Sequence, residues 1–160
     1  MTSTEQLREN TMTRTEFVYV TYIESTPQRV WDGLLKPEFT RQYWEHDNVS
    51  DWKPGSPWEH RTPKGEARVV GKVVESDPPN RLVITWADPR DAGNAAAHSR
   101  VTFEIEPVDT MVRLTVTHDQ LEAGSGMEKS IRNGWPRVLA SLKTLLETGK
   151  PLHTWAKNKD

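Results

Sequence analysis

The sequence predicts an α+β domain: a curved antiparallel sheet of about seven strands, two short helices after the first strand, and one long C-terminal helix packed over the sheet. Three observations carry this. Between positions 49 and 118, apolar and polar residues alternate in short segments divided by turn residues. Ser25-Thr26-Pro27, followed by a second proline at Pro37, marks two helix starts. From Met127 to Glu147, apolar residues recur at spacings of three and four.

A chain of 160 residues suits one domain. A domain of that size buries roughly 70% of the surface its unfolded chain exposes. The composition is polar, with a mean hydropathy of -0.75, so the seven tryptophans, three tyrosines and three phenylalanines must supply much of the core. A net charge of -2 gives no basic field for phosphate backbones, and nucleic acid is not an expected partner. The lack of cysteine removes disulfides, a thiolate nucleophile and cysteine-ligated zinc. No apolar leader and no run of about 20 apolar residues is present, so a cytoplasmic protein without membrane insertion is expected.

Residues 1–14 are polar and read as a flexible tail, 15–152 as the domain, and 153–160 as a second tail. Glu16 to Ile23 is rich in β-branched and aromatic residues and predicts a strand. Thr26 caps a helix carrying Val30, Trp31 and Leu34, which Gly33 weakens, and Pro37 opens a second helix reaching Trp44. Strands follow at 49–53, 58–61, 67–75 and 81–86, with Pro54-Gly55-Ser56, Pro63-Lys64-Gly65 and Asp77-Pro78-Pro79-Asn80 as turns. In the last of these strands Leu82, Ile84 and Trp86 share the core face, and Arg81, Val83 and Thr85 the other. Asp88 to Ala97 has no strand pattern and reads as a mobile loop that borders a binding site. Val101, Phe103 and Ile105, then Val112, Leu114 and Val116, mark two half-buried strands. The closing helix carries Ile131, Trp135, Val138, Leu139, Leu142, Leu145 and Leu146, is expected to kink near Gly134 because of Pro136, and stops at Gly149 and Pro151.

Several ordered phrases resemble the START-like superfamily. They are Ser25-Thr26-Pro27-Gln28-Arg29-Val30-Trp31-Asp32 with Pro37-Glu38 and Tyr43-Trp44, and Gly71-Lys72-Val73-Val74-Glu75 with Asp77-Pro78-Pro79-Asn80-Arg81-Leu82 and Thr85-Trp86. They continue with Leu114-Thr115-Val116-Thr117-His118 and Gly134-Trp135-Pro136-Arg137-Val138-Leu139. From about Thr15 to Leu152 they are similar to the branch named after the activator of heat shock protein 90 ATPase. The resemblance implies a helix-grip fold enclosing a cavity for lipids, polyketides or other hydrophobic compounds, with no cofactor. The eukaryotic co-chaperones of that name carry an extra N-terminal domain, which is not expected here, where only a short polar tail precedes the first strand.

Chemistry-bearing residues are sparse. His46, His60, His98, His118 and His153 show no His-Glu-x-x-His pattern and no pair at ligand spacing, so no metal site is expected. Ser125 in Gly124-Ser125-Gly126 is not a nucleophile elbow and reads as a loop before the helix. His118 continues the inward parity of Val112, Leu114 and Val116. Either its nitrogens are satisfied by backbone or water at the sheet rim, or it anchors a ligand. Trp44, Trp52, Trp58, Trp86 and Trp135 either fill the core or wall a pocket, whereas Trp31 reads as core. With His60, Phe103, Leu114 and Leu139 they complete the cavity set. Arg100 is expected to face solvent.

The expected function is therefore to bind a hydrophobic small molecule, lipid-like or polyketide-like, between the sheet and the last helix, as a monomer or homodimer. A cyclase or aromatase-type enzyme is one alternative, which a convergent pair of His118 with Glu59 or Glu75 would favour. A module modulating a chaperone ATPase through a protein partner is the other.

Overall fold

The computed structural model describes residues 13–152. The tails expected at 1–14 and 153–160 lie outside the described residues, apart from Thr13 and Arg14. The elements in order are β1 (Arg14–Ile23), α1 (Pro27–Leu35), α2 (Pro37–Tyr43), β2 (Asp47–Val49), β3 (Pro57–Arg61), β4 (Ala67–Asp77), β5 (Arg81–Trp86), β6 (Ser99–Val108), β7 (Met111–Glu122) and α3 (Gly126–Thr148). The seven strands form one antiparallel sheet ordered β1-β7-β6-β5-β4-β3-β2. Register shifts between Thr15 and Phe17, His60 and Arg61, and Val73 and Glu75 bend it, because an extra residue on one strand increases local twist.

Each helix starts where its cap chemistry places it. Thr26 Oγ1 accepts from the Arg29 amide at 3.2 Å, and Pro27 sits in the first turn. Ser125 Oγ accepts from the Glu128 amide at 3.1 Å, while Glu128 reaches back to the Gly124 amide at 2.7 Å, forming a box of reciprocal bonds. At the far end Gly149 takes a φ of 84° and closes α3 onto the Leu145 carbonyl. The chain passes through Pro136 as a single helical element.

The core lies between the inner sheet face and α3. All seven residues of the expected α3 stripe, from Ile131 to Leu146, are buried, as are Leu82, Ile84, Trp86, Val101, Phe103, Ile105, Val112, Leu114 and Val116 on the strands. Gly33 is the point where α1 meets α3: a Cβ there would lie 2.9 Å from Leu142 Cδ1. The Gly33 carbonyl also accepts from the buried Tyr43 hydroxyl at 2.7 Å. What reads in sequence as a helix-weakening glycine is a packing contact between three helices. Arg100 is exposed, as expected, and forms a two-pronged ion pair with its cross-strand partner Asp119.

Two expectations need correction. The strand read at 49–53 is β2 at 47–49, because Asn48 pairs with His60 and Asp47 is held by Arg41 through bonds of 2.7 and 3.0 Å. The chain then leaves the sheet, with Trp52 at a φ of 60°. Val83, read as outward with Arg81 and Thr85, is buried, since β5 is a central strand. The segment 88–97 forms no strand, as expected, and holds two short 3-10 turns. His98 ties it down, its ring nitrogens bonding Thr85 Oγ1 at 3.1 Å and the Asp91 carbonyl at 3.0 Å. Among the described residues no helix is long and apolar enough to cross a membrane.

Candidate functional site

Between the β3–β5 part of the sheet and the first half of α3 lies a cleft of about 310 Å³. Trp44, Trp86 and Trp135 wall it with Val69, Met127, Ile131 and Val138; His60, Arg68 and Ser130 are its polar side chains, and Gly134 leaves a gap in its helical wall. A Cβ on Gly134 would meet nothing within 4 Å. Trp86, Met127 and Ser130 also line a second, more polar cleft of about 630 Å³, bordered by Asp88, Arg90, Asp91 and Asn94 and by the start of α3. The loop read as bordering a site thus edges the larger cleft rather than the aromatic one.

Aromatic rings run in a continuous chain through this region. Trp52 meets Trp58 at 6.3 Å between centroids, Trp58 meets Trp86 at 5.5 Å, and Trp86 meets Trp135 at 5.4 Å. Trp135 meets Trp44 at 5.6 Å, and Trp44 meets His60 at 4.4 Å. The tilted geometries are those that aromatic quadrupoles favour over flat sandwiches. The expected cavity set therefore divides. Trp44, His60, Trp86 and Trp135 line the cleft; Trp58, Phe103, Leu114 and Leu139 belong to the core, and Trp52 packs partly buried against it. Alternation along a strand gives the inward side, but not whether an inward side chain meets α3 or empty space. Sequence reasoning missed Arg68, Val69, Met127, Ser130, Ile131, Gly134 and Val138. The α3 residues among them share a helical stretch with Trp135, and that spacing was the one available signal.

Trp58 reaches its place over Gly71, where a Cβ would lie 2.0 Å from the Thr85 carbonyl oxygen and 2.5 Å from Trp58 Nε1. The indole N–H donates to that carbonyl at 2.7 Å. Trp86 differs: its residue is 7% exposed, and its Nε1 is buried without a hydrogen-bond partner.

Both buried histidines have their tautomers set by neighbours. Trp135 Nε1 donates to His118 Nδ1 at 3.1 Å, so the proton of His118 sits on Nε2. Nε2 lies 2.7 Å from Ser99 Oγ, whose own proton goes to the Trp86 carbonyl at 3.0 Å. Every bond in this relay points one way. Burial pushes His118 down to about 4, keeping the ring neutral. His118 is thus satisfied by side chains, rather than by backbone or water at a rim, and is not paired with Glu59 or Glu75. Those carboxylates pair with Arg61 at 2.8 Å and Arg81 at 3.2 Å.

His60 is set differently. Asn48 Nδ2 donates to the Leu34 carbonyl at 2.8 Å, which leaves Asn48 Oδ1 to accept from His60 Nδ1 at 2.7 Å. The opposite amide orientation would press two acceptor oxygens together. His60 Nε2 therefore carries the lone pair, and it has no hydrogen-bond partner among the described residues. Burial, with a smaller contribution from the His46 ring stacked 4.7 Å away, lowers His60 to about 3.

A curved antiparallel sheet gripping one long C-terminal helix, with a cleft between them, defines a helix-grip domain. Residues 24–147 match the family model described as activator of Hsp90 ATPase homolog 1-like protein, and the chain belongs to that family. No curated protein matches it. Among solved structures it resembles the Aha1 dimer from Colwellia psychrerythraea, at 22% identity over 85% of this chain and 98% of that one, with a TM-score of 0.69. An Hsp90 activator from Plasmodium falciparum is similar at 22% identity, 82% and 95% coverage and a TM-score of 0.68. CalU16 from Micromonospora echinospora follows at 17% identity, 85% and 78% coverage and a TM-score of 0.66. At such identities the likeness shows the fold.

Proposed function

We propose that the protein binds an apolar small molecule in the cleft between the sheet and α3. The observation that carries this reading is the convergence of three indoles, Trp44, Trp86 and Trp135, around about 310 Å³ of open space beside the packed core. Close-packed interiors hold few voids larger than a water molecule, and small-molecule sites are concave, apolar and aromatic with a few polar groups. The unpartnered Trp86 N–H adds support, because a buried donor without an acceptor costs about 1–3 kcal/mol. Affinity would come mainly from burying the ligand's apolar surface.

Native mass spectrometry of gently purified protein, then titration of a hydrophobic fluorescent probe against tryptophan emission, tests this reading. A co-purifying small molecule, or a saturable 1:1 probe response, is the expected result. Bare protein whose tryptophan emission ignores every probe would overturn it.

A second reading is a protein-interaction module acting on a chaperone ATPase. It draws on the family description and on an exposed apolar stripe, Val18, Val20 and Tyr22, on the outer face of edge strand β1. Val20→Lys should abolish any stimulation of a purified Hsp90 ATPase and leave probe binding in the cleft intact; stimulation that survives the lysine removes the stripe from this role.

A further inference from the structure

The chemistry of the cleft narrows what it can select, on the premise that it binds a small molecule at all. His60 points inward from β3, is 5% exposed, and has Nδ1 committed to Asn48. Its remaining ring nitrogen is an acceptor and calls for a donor. Among the described residues no carboxylate lines the cleft. The one cation lining it among the described residues is Arg68, exposed on β4 with Glu66 3.9 Å away. The Trp44 ring lies 4.4 Å from the imidazole, so a flat molecule bonded to Nε2 would also meet an aromatic wall.

We infer that the cleft selects a small, uncharged aromatic alcohol, of the phenol or naphthol class, whose O–H donates to His60 Nε2 while its ring packs against Trp44 and Trp135.

Size and charge both support this. A volume of about 310 Å³ stands at the lower end of the roughly 300–1,000 Å³ typical of ligand sites. That suits one or two fused rings and not a two-chain lipid. A carboxylate would face the imidazole lone pair with lone pairs of its own, and would leave water for a site with no buried cation to receive it. Burial keeps His60 uncharged at neutral pH, so the ring offers an acceptor and no positive charge; His46 and Asp47 are the titratable neighbours that act on it. An ether of the same shape would fill the space but make no bond to Nε2.

Three matched probes separate these terms: 2-naphthol, 2-methoxynaphthalene and 2-naphthoate, measured by equilibrium dialysis at pH 7.5 against the full chain and His60→Phe. The full chain should bind 2-naphthol about tenfold more tightly than the ether, the worth of one hydrogen bond, and 2-naphthoate most weakly. His60→Phe should lose the preference for the alcohol over the ether. In the unsubstituted protein, the 15N resonance of His60 Nε2 should move on adding 2-naphthol and stay still with the ether, a readout independent of how well the variant folds. Equal binding of alcohol and ether, or a preference that survives His60→Phe, overturns the inference while leaving the cleft a binding site. Failure of all three probes to bind overturns the binding reading and this inference with it.

Discussion

Trp135 Nε1 donates to His118 Nδ1 across the boundary between α3 and β7, and that bond fixes which nitrogen of a fully buried imidazole carries its proton. The last helix is thereby tied to the sheet by a directional polar bond inside an apolar core, and through Ser99 to the backbone of Trp86 on β5. Three strands and a helix share one relay.

Breaking the relay at its centre should be costly. His118→Leu keeps the volume and removes both hydrogen bonds, stranding the Trp135 N–H. A loss of about 2–4 kcal/mol in urea unfolding is expected, because unsatisfied buried groups forfeit their full desolvation cost. Ser99→Ala should cost less, about 1–2 kcal/mol, since it removes one hydroxyl. Equal stability of His118→Leu and the unsubstituted protein would rule out the relay.

Stability should fall with acid over a defined range. His118 and His60 are held near 4 and 3 in the folded state, below the ordinary histidine value of about 6.5. Between those values the unfolded chain binds protons that the folded chain cannot. Stability is therefore full above about pH 6.5 and declines below it, by up to about 1.4 kcal/mol per pH unit for each ring. Asp47, held below the usual carboxylate range by Arg41, adds to the loss at lower pH. Denaturant midpoints at pH 7.5, 6.0 and 5.0 measure the slope, which His118→Leu should halve. A flat profile from 7.5 to 5.0 contradicts the assignment.

Gly71→Ala should be among the most damaging single-methyl additions in the chain. The new Cβ would sit 2.0 Å from the Thr85 carbonyl oxygen, a backbone atom that cannot swing away, and would displace the Trp58 indole from it. A loss above about 3 kcal/mol, or failure to fold, is expected by analogy with overpacked cores. Normal unfolding of Gly71→Ala, with unshifted tryptophan emission, would refute the crossing.

Gly134→Leu should do the reverse. Its Cβ enters open space, and leucine is a better helix former than glycine by roughly 0.5–1 kcal/mol. The side chain fills the cleft, so the melting temperature should hold or rise while the saturable probe response disappears. A variant that still binds the probe would place the binding site elsewhere, with the larger cleft beside 88–97 the next to examine.

The sequence by itself determined the element order, the core-facing parity of the later strands and the α3 stripe. These depend on local rules: alternation at period two, recurrence near 3.6, the cap at Thr26 and the stop at Gly149. Only the tertiary structure decided that Trp44, Trp86 and Trp135 border open space while Trp58, Phe103, Leu114 and Leu139 are packed shut. It also placed Gly134 as a gap and Gly71 as a crossing, and left His60 rather than His118 with an unused nitrogen. The reason is physical. Inward direction is a property of one strand, whereas a void or a hydrogen-bond direction depends on groups far apart in the chain. Asn48 turns its amide toward Leu34, 14 residues away, and so fixes the proton on His60.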